Sequence, residues 1–171
     1  MSERRVLFEH PLMRAVTFQA ETRAGPRPFL RLEIDDWVNV VPVTTEGELV
    51  LIRQHRWGIE RETLEVPGGV VDPGERPEQT ARRELEEETG YGGGRLVEMS
   101  FVWANPAIQN NRTWLFALEG VEPVGPQRFD DTEDITVERH PLAELPRLLA
   151  EGAVVHAYAV VALQRYLLRH R

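Results

Sequence analysis

The chain has 171 residues, enough for one domain with a sizeable core. It holds no cysteine and all 20 basic residues are arginine, which removes disulfides, thiolate chemistry, Schiff bases and a lysine-bearing phosphate loop. A net charge of −8 argues against a general nucleic-acid surface, and no run of about 18 apolar residues offers a membrane span. The opening MSERRVLFEH lacks an apolar signal core, so the expectation is a soluble, cytoplasmic protein.

In chain order, β-rich and alternating runs predict strands near 15–20, 29–34, 38–44 and 48–54, with Thr45-Glu46-Gly47 as a tight turn between the last two. A short strand over 64–66 leads into a glycine-rich loop. The helix that follows, over 76–89, is rich in helix formers, tolerates Pro77 in its first turn and stops at Gly90. Further strands are predicted near 96–103, 113–118 and 135–139, then helices over 142–151 and 155–169. Val160, Leu163, Tyr166 and Leu167 form a helix-period stripe on the last helix. His156 and Tyr158 near its start read as packing or surface residues. The stretch 120–134, with Pro123, Gly125 and Pro126, reads as a long loop at the edge of an active site. Strands with helices before and after them imply an α/β layered architecture.

On the helix 76–89, Glu84, Glu87 and Glu88 fall at i, i+3 and i+4, on one face. Three neighbouring anions repel unless a cation sits among them. A hard divalent ion such as Mg²⁺ takes oxygen ligands while leaving positions for water and phosphate. Taken alone, ELEEE also describes a solvated acidic face. The preceding Pro67-Gly68-Gly69 and Asp72-Pro73-Gly74 favour the metal, because glycines let the backbone approach closely. Arg83 either pairs with Glu87 one turn on or reaches back to Glu75 and pins the loop. Trp37, Trp57 and Trp103 are candidates for stacking on a nucleobase.

From Gly69 to Tyr91 the sequence GVVDPGERPEQTARRELEEETGY resembles the Nudix box, G-x5-E-x7-R-E-U-x-E-E-x-G-U with U aliphatic, at every position but the last, where Tyr91 stands. The resemblance implies a Nudix-type α/β/α sandwich with a mixed β-sheet and an N-terminal β extension. It implies metal ligation by Glu84, Glu87, Glu88 and the Gly68 carbonyl, with Gly69, Glu75, Arg83 and Gly90 supporting the motif. Mg²⁺ is the implied cofactor, Mn²⁺ a substitute.

Beyond the box, the chain from about residue 29 onward resembles the ADP-ribose pyrophosphatase branch of that family. The anchors are Val41-Pro42-Val43, then Leu51-Ile52-Arg53-Gln54-His55-Arg56, then Leu64-Glu65-Val66-Pro67-Gly68-Gly69. By this resemblance Arg56 reaches substrate phosphate, against the plainer reading of a surface ion pair. Glu65 lies beside the metal site, against that of an exposed strand residue. Pro106 matches the branch proline, but its setting Asn105-Pro106-Ala107, followed by Gln109-Asn110-Asn111-Arg112, departs from the usual Ser-Pro-Gly. Asn110 and Asn111 either hydrogen-bond a base or sugar or start the next strand through turn chemistry. The general base is expected from the loop before the last strand, Glu133 ahead of Asp131, with Glu87 as the fallback.

The implied reaction is metal-dependent hydrolysis of a nucleoside diphosphate linked to X, such as ADP-ribose, to a nucleoside monophosphate and phosphorylated X. Alternatives are a pyrophosphohydrolase of nucleoside triphosphates or dinucleoside polyphosphates, and a Nudix-like nucleotide-binding regulator without turnover. Residues 1–36 read as a strand extension for homodimerisation and 37–171 as the hydrolase domain. The expected partners are a small nucleotide and a second copy of the chain, with no nucleic acid and no membrane.

Overall fold

Three strands open the chain in the computed structural model, which describes residues 4–128 and 134–170. Arg5–His10 (β1), Met13–Thr22 (β2) and Gly25–Glu33 (β3) form an antiparallel sheet in the order β1-β2-β3. Strand β1 lies outside the predicted set. Its pairing register shifts between Val6 and Phe8, so Leu7 falls in a bulge and the period-two pattern that would reveal a strand is broken.

The main sheet holds Trp37–Thr44 (β4), Glu48–Arg56 (β5), Arg61–Glu65 (β6), Tyr91–Trp103 (β7), Arg112–Pro123 (β8) and Ile135–Pro141 (β9). Its order is β6-β5-β4-β8-β7, with β9 also paired to β5. The β4–β8 pair is parallel and the others are antiparallel, so the sheet is mixed. Val38 and Val40 on β4, with Phe116 and Leu118 on β8, pack against Ala81 and Leu85 of Pro77–Thr89 (α1). The alternate residues Val41, Val43, Leu115 and Ala117 pack on the opposite side. There they meet Leu145 and Leu148 of Leu145–Ala150 (α2) and Ala159, Ala162 and Leu163 of Ala157–Arg169 (α3). Strict alternation along two neighbouring strands therefore builds two cores and an α/β/α layering.

Three boundaries differ from the sequence expectation. Strand β8 continues to Pro123 instead of ending at 118, because Gly120 takes φ 79° at a register shift and the chain stays extended beyond it. The loop expected over 120–134 is shortened accordingly. The helix expected over 142–151 divides into a 3-10 turn, Leu142–Glu144, and α2. The buried stripe of α3 is Ala159, Ala162, Leu163 and Tyr166, rotated so that Val160 and Leu167 flank it. Among the described residues no helix is long and apolar enough to cross a membrane.

Candidate active site

Helix α1 starts where Arg76 holds extended backbone and exchanges bonds with Gln79, and it ends where Gly90 adopts φ 72° and donates to the Glu86 carbonyl. Between these ends Arg83 is the electrostatic centre. Its guanidinium lies 3.0 Å from Glu75 Oε2, 2.8 Å from Glu84 Oε1 and 3.0 Å from Glu87 Oε2, and donates to the Val70 carbonyl at 3.3 Å. Both sequence readings of Arg83 thus hold together: it spans one helical turn and pins the loop. Bonding to Glu75 first of all, with Glu84 and Glu87 behind it, raises the Arg83 pKa against the opposing effect of burial. Glu75 is held below the usual carboxylate range by Arg83, with Thr80 Oγ1 donating to it at 2.7 Å.

Residues 67–69 run extended beside β4: Val40 N–H donates to the Pro67 carbonyl and Val38 N–H to that of Gly69, each at 2.9 Å. Alternation of extended backbone places the Gly68 carbonyl on the other edge, where its own N–H donates to Glu88 Oε2 at 2.8 Å. A Cβ on Gly68 would overlap the Val38 carbonyl oxygen, and one on Gly69 would fall inside the Glu84 carboxylate. Gly68 thus lets the loop lie directly against β4, and Gly69 lets the Glu84 carboxylate lie against the loop. Glu88 is 3% exposed.

The donor set, three carboxylates and a main-chain carbonyl, suits a hard divalent cation. As placed, Glu84 and Glu87 turn to Arg83, and Glu88 turns to the loop N–H. Among the described residues no three acidic or histidine side chains are gathered as a metal cage. Glu133 and Asp131 lie outside the described residues. The described flank of that segment is tied to α1, with Arg128 N–H on the Glu87 carbonyl at 2.8 Å and Gln127 Nε2 on that of Glu88 at 2.6 Å.

A cleft of about 700 Å³ opens from Gly68 and Gly69 toward the start of α3. Glu65 forms its floor and is 1% exposed, not the exposed strand residue that its position allowed. Arg56 binds it bidentately at 2.8 Å twice, Thr63 Oγ1 donates at 2.5 Å, and His156 Nδ1 lies 2.9 Å away. Burial works to raise the Glu65 pKa, but Arg56, His156 and Thr63 outweigh it and hold the carboxyl down to about 2. Arg56 is thus ion-paired and also lines the cleft.

Trp37, Trp57, His156 and Tyr158 line the same cleft. His156 and Tyr158, read from the sequence as packing or surface residues, pack ring to ring on this wall. An aromatic at the head of an apolar helix carries no periodic signal that separates wall from core. Trp103 stands elsewhere, edge-on to Phe101 at 5.8 Å. Pro106 lies in an exposed turn away from the cleft. Asn110 is also apart from it: its Oδ1 accepts the Ile34 N–H at 3.0 Å, tacking the end of the N-terminal sheet to the main sheet. Asn111 is buried beside it.

A carboxylate-bearing helix docked on a glycine loop, beside a nucleotide-sized cleft in an α/β/α sandwich, defines a hydrolase site for phosphorylated substrates. The NUDIX domain family matches residues 35–163, and the chain belongs to that family. It is 33% identical over 128 residues to an ADP-ribose pyrophosphatase of Bacillus subtilis, covering 74% of this chain and 69% of that one. Over an equal length, and with the same coverage of both chains, it is 28% identical to a methanol dehydrogenase activator of Bacillus methanolicus. The crystal structure of an ADP compounds hydrolase superposes with a TM-score of 0.83 at 26% identity, covering 98% of this chain and 90% of that one.

Proposed function

We propose that the chain is a Nudix pyrophosphohydrolase that cleaves the pyrophosphate bond of an ADP-ribose-type nucleoside diphosphate derivative, releasing a nucleoside monophosphate and phosphorylated X. The observation that carries this reading is the Arg83 hub, which binds Glu75, Glu84 and Glu87 beside a glycine loop that opens into the cleft. Glu84, Glu87, Glu88 and the Gly68 carbonyl would hold divalent metal, Mg²⁺ by preference with Mn²⁺ as a substitute. When bound, such ions supply charge neutralisation on the pyrophosphate oxygens. Arg56 contributes a fixed guanidinium for phosphate from the cleft wall.

Glu133 is the proposed general base, since carboxylates given over to metal are poor proton acceptors. The anchoring of Arg128 and Gln127 beside Glu87 and Glu88 supports a base delivered from the segment that follows. Glu133→Gln then lowers kcat by roughly a hundredfold with metal affinity unchanged. If Glu133→Gln and Asp131→Gln both stay within a few-fold of the parent, the base lies elsewhere. A homodimer assembled through residues 1–36 belongs to the same reading.

The experiment is a panel of ADP-ribose, nucleotide sugars, NADH, triphosphates and dinucleoside polyphosphates with Mg²⁺ and product identification. AMP and ribose 5-phosphate from ADP-ribose are the expected products. Pyrophosphate from triphosphates, or no turnover anywhere, would reject the proposal.

A further inference from the structure

Strand β5 leaves β4 after the Val43–Leu49 pair, and residues 67–71 take over the edge it vacates. Three main-chain bonds hold them there in one antiparallel register. Val40 N–H donates to the Pro67 carbonyl, Val38 N–H to that of Gly69, and Val71 N–H to that of Asp36 at 2.8 Å. Asp36 thus supplies the terminal rung of a short ladder. Its side chain is fixed from β8, on the other flank of β4. Oδ1 accepts the Arg112 N–H at 2.7 Å, and Oδ2 accepts Arg112 Nε at 2.9 Å and Trp114 Nε1 at 3.0 Å. The Arg112 guanidinium lies over the Trp114 ring at 4.8 Å, which keeps both donors on the one carboxylate. We propose that Asp36 is a positioning residue for the glycine loop: tethered to Arg112 and Trp114, it sets the register of residues 67–71 along β4. This rests on the metal set proposed above, to which that loop contributes the Gly68 carbonyl.

A ladder of three bonds has little cooperativity of its own, and its end opens first. Release of Asp36 would free Val71 and unzip the loop toward Gly68. The Val70 carbonyl, next to that rung, accepts from Arg83 at 3.3 Å, and Arg83 in turn holds Glu75, Glu84 and Glu87. A shift at Val70 and Val71 therefore reaches the carboxylates through one guanidinium and Gly68 through the backbone. Strands β4 and β8 already pair from Trp37–Thr113 to Thr44–Val121, so their register does not need the Asp36 side chain. What that side chain fixes is the residue just ahead of the pair. Val71 and Trp114 also flank the same core beneath α1, so tether and rung move with the face that carries Arg83.

Asp36→Asn keeps an acceptor for the Arg112 N–H but turns an amide toward two donors, so the tether breaks at nearly constant volume. In hydrogen exchange on the metal-free, full-length chain, the Val71 amide should exchange at least roughly tenfold faster, with smaller gains at Val38 and Val40 and none in the β5–β9 ladder. Mn²⁺ binding, followed through the EPR signal of the free ion, weakens by roughly tenfold. With ADP-ribose, half-maximal turnover needs more Mg²⁺ by a similar factor, while KM at saturating Mg²⁺ stays near the parent. Leu148→Ala, in the core on the opposite side of the sheet, lowers the melting temperature but leaves Mn²⁺ affinity at the parental value. Trp114→Phe deletes a single donor and shifts Val71 exchange and Mn²⁺ affinity the same way by a smaller factor; it carries the test if Asp36→Asn does not fold. Parental Mn²⁺ affinity in the folded variants would overturn the proposal. So would exchange that quickens uniformly across the sheet, which would make Asp36 a strand anchor only. If Asp36→Asn opens Val71 and weakens Mn²⁺ but the parent turns over no nucleoside diphosphate derivative, the positioning role stands and the activity fails. Parental turnover with unchanged Mn²⁺ affinity in Asp36→Asn means the reverse.

Discussion

Arg83 keeps a crowd of carboxylates from forcing the glycine loop and α1 apart. Glu88 is held by the Gly68 N–H, which makes it a clean residue at which to separate charge from structure. Glu88→Gln preserves an acceptor for that N–H and removes one negative charge from a like-charged helix face. Turnover is expected to fall by about a hundredfold, while thermal unfolding without metal stays at or above that of the parent. Near-parental kcat at saturating Mg²⁺ would remove Glu88 from the metal site. Glu65 behaves differently, because its charge is used inside the fold. Its pKa lies at about 2, below the ordinary 4.5, so its stabilisation is complete above the ordinary value and is lost as pH falls toward the folded one. Glu65→Gln should cost about 2 kcal/mol near neutrality, since it leaves Arg56 and His156 without their shared anion. It should also flatten the stability–pH curve between those two values. Chemical denaturation across that range checks both, and an unaltered slope would contradict the role.

At the scale of elements, the glycine loop offers the sharpest contrast. The missing Cβ of Gly68 faces a rigid backbone carbonyl, that of Val38, whereas the missing Cβ of Gly69 faces the movable end of Glu84. Gly68→Ala is therefore expected to lose about 3 kcal/mol or more through displacement of the loop from β4. Gly69→Ala should unfold near the parent temperature but lose activity, since Glu84 must swing aside. Equal melting temperatures for the two variants would count against this geometry. The same elements explain what could be read in advance. The acidic helix, its Gly90 stop and the β4 alternation rest on local periodicity, so the sequence carries them openly. Strand β1 does not, because its bulge destroys the alternation. The end of β8 was hidden by Gly120 and Pro123, turn-forming residues that the strand accommodates through positive φ and at its last position. His156 and Tyr158 acquire meaning only from Glu65 and Trp37, more than ninety positions away, and no sequence period records such a meeting.

For the whole molecule, the thin N-terminal sheet is the feature that bears on the proposed homodimer. Cross-strand register aligns Phe8 with Ala15 and Leu30 with Thr17, and Ala15 and Thr17 share a face of β2, so Phe8 and Leu30 lie on one side of the sheet. Phe8 is 55% and Leu30 46% exposed, and Val6, Leu7, Leu12 and Phe29 nearby are also open to solvent. A three-stranded sheet with its apolar side uncovered is a surface for association. In the homodimer proposed above, a second copy of the same sheet would cover it by two-fold symmetry, each Phe8 and Leu30 meeting the corresponding surface of the other copy. Light scattering at micromolar concentration should therefore return about 39 kDa, twice the chain mass of 19.6 kDa. Phe8→Glu combined with Leu30→Glu should shift the mass to that of one chain. The two cores on either side of the main sheet contain neither residue, so cooperative unfolding should persist. A parent protein that scatters as a single chain would show that the sheet stays open in solution, and the dimer would have to be abandoned.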